Sequence, residues 1–177
     1  MKIGIWIPFL LLAGLAPAQQ IKWNYDKLAA RASDSTEVTL DGALLRQAAK
    51  FLSNQGDEAQ AKKVVAGLKG IYVRSFEFKK PGEYTKEDVD AFRAQIHAPE
   101  WQKIVDTHSK EDGEDTEVYL KSGAGDTIDG LAIISAEPKE LTLVNIVGTV
   151  DLASLSALSG HFGIPEVDPD DKDSDKK

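Results

Sequence analysis

The strongest pattern along the chain is a pair of apolar runs, residues 131–136 and 141–147, separated by a polar turn centred on Pro138. Runs of this length, rich in Ile, Val, Leu and Thr and bounded by turn formers, predict paired β-strands. Pro138 fixes φ at the corner, while Glu137, Lys139 and Glu140 keep it polar. The second run is apolar at both parities: Leu141, Leu143 and Val147 share one face, Val144 and Ile146 the other. Such a strand is central in its sheet, or its second face is covered by helices or a partner.

Similar patterns extend upstream. Residues 101–108, 116–121, 128–136 and 141–149 are strand candidates, joined by polar connections at 110–115, 122–126 and 137–140. Connections this short join antiparallel neighbours, so the four strands predict a meander. Residues 35–40 alternate Val38 and Leu40 against Glu37 and Thr39, which predicts a short edge strand. Residues 71–79 switch apolar parity from Ile71 and Val73 to Phe76 and Phe78. A bulge near Arg74 and Ser75, or burial on both faces, explains that switch.

Between the strands the spacing turns helical. Residues 21–31 suit a short helix that packs Trp23, Tyr25 and Leu28. Asp41 caps a helix whose stripe is Leu44, Leu45, Ala48, Phe51 and Leu52, stopped at 54–56. Asp57 caps the next, with Ala61, Val64, Val65 and Leu68 inward and its end at Lys69 and Gly70. Thr85 and Asp88 form a capping-box pattern ahead of Val89, Phe92 and Ile96, and Pro99 ends that helix. Asp151 opens a last helix with Leu152, Leu155, Leu158 and Phe162 on one side, closed by Gly160 and residues 163–165. The expected fold is α+β: an antiparallel sheet, a C-terminal four-strand meander plus one or two earlier strands, with helices packed on one face.

The two ends differ from the middle. Residues 1–18 have a basic Lys2, an apolar segment 3–15 and a small-residue site at 16–18, the layout of a secretion signal cleaved after Ala18. The apolar segment is shorter than the roughly 20 residues a bilayer span needs. Residues 166–177 have almost no apolar content and are expected to be a disordered acidic tail. That leaves residues 19–165 as a single domain, in an exported chain without an integral membrane span.

Charge and chemistry narrow the function. The net charge of −8 becomes −9 once Lys2 leaves, which opposes binding to nucleic acid or anionic lipid. The chain has no Cys, so disulfides, thiol nucleophiles and thiolate metal sites are excluded together. His97, His108 and His161 fall in no metal-binding spacing and read as surface residues. Ser154, Ser156 and Ser159 have no G-x-S-x-G elbow, and residues 122–126 read as a hairpin turn lacking the Lys of a phosphate loop. Carboxylates alternate over 168–175 without the central Gly or closing Glu of a calcium loop. No residue is singled out as catalytic, cofactor-binding or metal-ligating.

The apolar strand 141–147, running through Gly148 and Asp151 into Leu152, Leu155 and Leu158, resembles a bacterial family catalogued as domain of unknown function 4252. The likeness extends over about residues 23–162 and excludes the acidic tail. The resemblance implies an exported envelope protein without known cofactor, and it transfers no site. Three functions are weighed. The first is a non-enzymatic periplasmic or extracellular protein that binds an envelope protein partner through an exposed sheet face or strand edge. The second is a carrier of a small apolar, lipid-like ligand, with Phe76, Phe78, Trp101 and Tyr119 as lining. The third is a hydrolase using carboxylates. The oligomeric state is left open.

Overall fold

The computed structural model describes residues 20–52, 54–124 and 127–150. In chain order they form α1 (Asp26–Ala29), β1 (Asp34–Asp41), α2 (Gly42–Ala48), α3 (Gly56–Gly67), β2 (Leu68–Glu77), α4 (Lys86–Arg93), β3 (Trp101–His108), β4 (Asp115–Ser122), β5 (Ile128–Ala136) and β6 (Glu140–Val150). All six strands belong to one antiparallel sheet in the order β1-β2-β6-β5-β4-β3. The meander is therefore β3 to β6, and two earlier strands extend it beyond β6. The predicted signal, last helix and tail lie outside the described residues.

Double-sided apolar strands sit where their pattern requires. β6 runs between β2 and β5, with Val144 opposite Val73 and Ile133, and Leu143 opposite Arg74 and Ile134. On one face Ile71, Val73, Val144, Ile146, Leu131 and Ile133 pack against Leu45 of α2 and Val64 and Val65 of α3. On the other, Phe76, Phe78, Leu141, Leu143 and Ile134 pack against Leu28 of α1 and Val89 and Phe92 of α4. The fold is α+β as expected, but the helices divide between the two faces. The parity switch in β2 has the same origin. Ile71 and Val73 face the helical hairpin, Phe76 and Phe78 the aromatic layer, and pairing with β6 is unbroken from Ile71 to Glu77. No bulge interrupts Arg74 and Ser75; the register shift lies between Leu68 and Gly70. Gly148 crosses there at φ +126°, and a Cβ would come within 2.7 Å of the Leu68 Cα and the Lys69 nitrogen. Only glycine fits such a crossing.

Helix boundaries depart more from the sequence pattern. The first helix shrinks to α1, although Leu28 is buried and Trp23 and Tyr25 pack against the same cluster. The Asp41 carboxylate accepts from the Ala43 and Leu44 amides at 2.8 and 2.9 Å, so that cap forms as predicted. Yet α2 stops at Ala48, and of its stripe Leu45 is buried while Leu44 is 46% and Phe51 90% exposed. α3 begins at Gly56 with Gln55 at the N-cap position, which puts Asp57 inside the first turn. Thr85 and Asp88 form the predicted reciprocal capping box of α4.

Candidate functional site

Two features of the described residues stand out from structural packing: a charged cleft on the aromatic face, and the outer edge of β1.

The cleft encloses about 620 Å³ between α4, the loop before it and the β3–β4 hairpin, with Ile134, Ala136 and Pro138 along its apolar side. Its centre is Glu117, which is 6% exposed. The Arg93 guanidinium clamps it, Nε to Oε2 at 3.0 Å and Nη2 to Oε1 at 2.9 Å. The Tyr119 hydroxyl donates to Oε2 at 2.5 Å, and the Lys103 ammonium stands 3.6 Å from Oε1. Burial alone would raise the Glu117 pKa, but the bonds from Arg93 and Tyr119 and the charges of Arg93 and Lys103 outweigh it, holding the carboxyl below its ordinary value. At the mouth, His108 lies between two carboxylates, Nδ1 at 2.8 Å from Asp115 and Nε2 at 3.3 Å from Asp106. The hydrogen bond to Asp115 and its charge, with Asp106 and Glu117 adding, raise the imidazole pKa above its ordinary value. Tyr84 donates to the Glu137 carbonyl at 2.5 Å, and burial with nearby Asp115 and Glu137 pushes its phenol up to about 12.

These groups are mutually satisfied. A general base needs an accessible lone pair, and both Glu117 oxygens are occupied by cationic or hydroxyl donors. Ionic saturation of this kind orients the hairpin against α4 and leaves little proton-transfer capacity. The aromatics proposed as a carrier lining are equally committed: Phe76, Phe78, Trp101 and Tyr119 are all buried within the core packed under α4. A second hollow of about 290 Å³ is lined by Trp23, Tyr25, Tyr72, Arg74 and Phe92 at the open side of that layer.

The β1 edge is different in kind. Asp34 to Asp41 pairs with β2 in unbroken register, and nothing among the described residues pairs with its other side. One Arg74 nitrogen, Nη1, donates to both the Val38 and the Val73 carbonyls at 3.1 and 2.8 Å. Those two carbonyls must therefore point toward each other across the ladder, so the amides and carbonyls of Ser35, Glu37 and Thr39 point outward. Arg74 also stands 4.9 Å from the centre of the Tyr25 ring and pairs with Glu37, which accepts from the Tyr25 hydroxyl at 2.8 Å. This lattice stiffens β1 from its aromatic side. On the other side Val38 and Leu40 are half-buried against the cluster that holds Leu45 of α2. The far edge, β3, is built otherwise: a register shift between Lys103 and Val105 leaves Ile104 out of the ladder and 48% exposed. A bulge of that kind blunts an edge against pairing.

The sequence pattern offers a strand edge as one contact surface and makes β1 an edge strand; it reads His108 as a surface residue and Tyr119 as carrier lining, and it passes over Arg93, Lys103 and Glu117. Of the histidines, His108 joins the cleft; His97 lines a separate shallow hollow with Glu100, Trp101 and Lys121, and His161 lies outside the described residues. The available signal was the shared parity of Glu117 and Tyr119 in β4, which puts a carboxylate on the face that buries an aromatic and demands a cation. No group of His, Asp and Glu among the described residues could hold a metal ion, and no described helix is long and apolar enough to cross a membrane.

Comparison with known proteins gives a single likeness. A family model described as Domain of unknown function (DUF4252) matches residues 25–158. No curated protein and no solved structure matches.

Proposed function

The chain belongs to the DUF4252 family, and from that premise we propose that it is an exported, non-enzymatic binding domain whose contact surface is the outer edge of β1. One observation carries the reading: β1 is an eight-residue edge strand in unbroken register, with outward backbone groups unpaired among the described residues. An open, regular edge is a template for an added strand, and proteins ordinarily blunt such edges. Here β3 carries a bulge and β1 does not. Main-chain bonds supply affinity in this mode, and pockets for alternate side chains supply selectivity.

The carrier reading is weakened by the committed aromatics, and the hydrolase reading by the saturated Glu117. Export rests on the tripartite pattern of residues 1–18; N-terminal sequencing of protein recovered from the cell exterior or envelope should begin at Gln19. The binding surface is tested by a photo-crosslinking amino acid placed at Thr39 or, on the opposite edge, at Ile104, in cells that make the protein. Discrete adducts from Thr39 with none from Ile104 support the reading. Adducts from Ile104 alone, or from neither, contradict it.

A further inference from the structure

We infer that the strand added to β1 is β1 of a second copy, paired antiparallel about a two-fold axis at Val38. The inference rests on the strand-addition reading and adds the identity of the occupant.

Symmetry, charge and length of overlap select that register, since centring on Thr36 also avoids like charges but pairs only residues 34–38 of the strand. A two-fold pairing of one strand with itself must be centred on a residue. Centring on Glu37 sets it against Glu37 of the second copy, and centring on Thr39 sets Glu37 against Asp41; both oppose like charges. Centring on Val38 instead sets Glu37 opposite Thr39, Ser35 opposite Asp41 and Thr36 opposite Leu40, with Val38 facing Val38. No carboxylate then faces another.

The backbone agrees with this choice. Because Val38 directs its amide and carbonyl inward to β2, the Val38 pair at the axis is of the non-hydrogen-bonded kind, in which side chains approach closest. Glu37 and Thr39, whose groups point outward, then fall opposite one another in both directions and exchange both of their hydrogen bonds. The joint continues the six-stranded sheet of one copy into that of the other. An axis perpendicular to the sheet keeps both α2 helices on the same face.

The chain has no cysteine, so a Val38→Cys variant carries a lone thiol. Close Cβ approach across a non-hydrogen-bonded pair suits a disulfide. The purified chain should sediment as a reversible dimer, and mild oxidation should link Val38→Cys covalently while Ile104→Cys stays unlinked. Thr39→Glu, on an exposed position facing Glu37 of the second copy, should weaken the dimer about tenfold, and Thr39→Lys should tighten it several-fold. A monomer at all concentrations, or equal responses to Thr39→Glu and Thr39→Lys, overturns the inference. If the chain is monomeric but Thr39 crosslinks in cells to a different protein, self-pairing falls and strand addition stands. If Thr39 crosslinks to nothing, both fall.

Discussion

Glu117 is a buried carboxylate on β4, made tenable by two guanidinium bonds, a phenol and an ammonium. Its folded pKa is depressed, so the stability it contributes is present above the unfolded value of 4.5 and is lost as pH falls through the lower, folded one. Glu117→Gln should cost about 2 kcal/mol at neutral pH in chemical denaturation, because Arg93 loses its buried partner, and should flatten the loss of stability below about pH 4.5. His108 works with the opposite sign. Its folded pKa is raised, so its contribution is complete below 6.5 and fades as pH rises through the folded value. An NMR titration should place the His108 midpoint above 6.5, and Asp115→Asn should bring it down; an unmoved midpoint would contradict the pairing. Neither pairing is legible in sequence. Arg93 and Glu117 are 24 positions apart and meet only once α4 lies on the sheet.

Among the elements, the strands and the Asp41 and Thr85 caps are legible, and the other helix ends are not. The bounds of β3 and β5 match the expected 101–108 and 128–136, because turn formers bracket each run. The parity switch in β2 was also legible, since burial on both faces was one of its two readings. Helices are set by what they pack on. α2 has a stripe as wide as that of a buried helix, yet the sheet beneath it reaches only Leu45, and the helix ends at Ala48 with Leu44 and Phe51 outside. Thermal denaturation should separate the two sets. Leu45→Ala should cost about 3 kcal/mol, whereas Phe51→Ser should change stability by no more than about 0.5 kcal/mol. Gly148→Ala belongs with the first set, at about 2 kcal/mol or more, since its Cβ meets backbone that cannot swing aside.

For the whole molecule, the question is what its edges do. Both faces of the sheet are covered from within the chain, the charged cleft is satisfied by its own residues, and the two edges are finished differently. β3 carries a bulge; β1 is regular and stiffened through Arg74. A sequence shows which strand is half-polar, but whether its outer side is blunted depends on register with a neighbour, and that appears only in the assembled sheet. The most direct measurement is amide hydrogen exchange at Ser35, Glu37 and Thr39, compared between the dilute chain and the assembly captured from Thr39. Slower exchange at these three positions in the assembly, with the β3 edge unchanged, is the expected result. Equal exchange at all three, or protection gained along β3 instead, would show that β1 is not where this protein meets its partner.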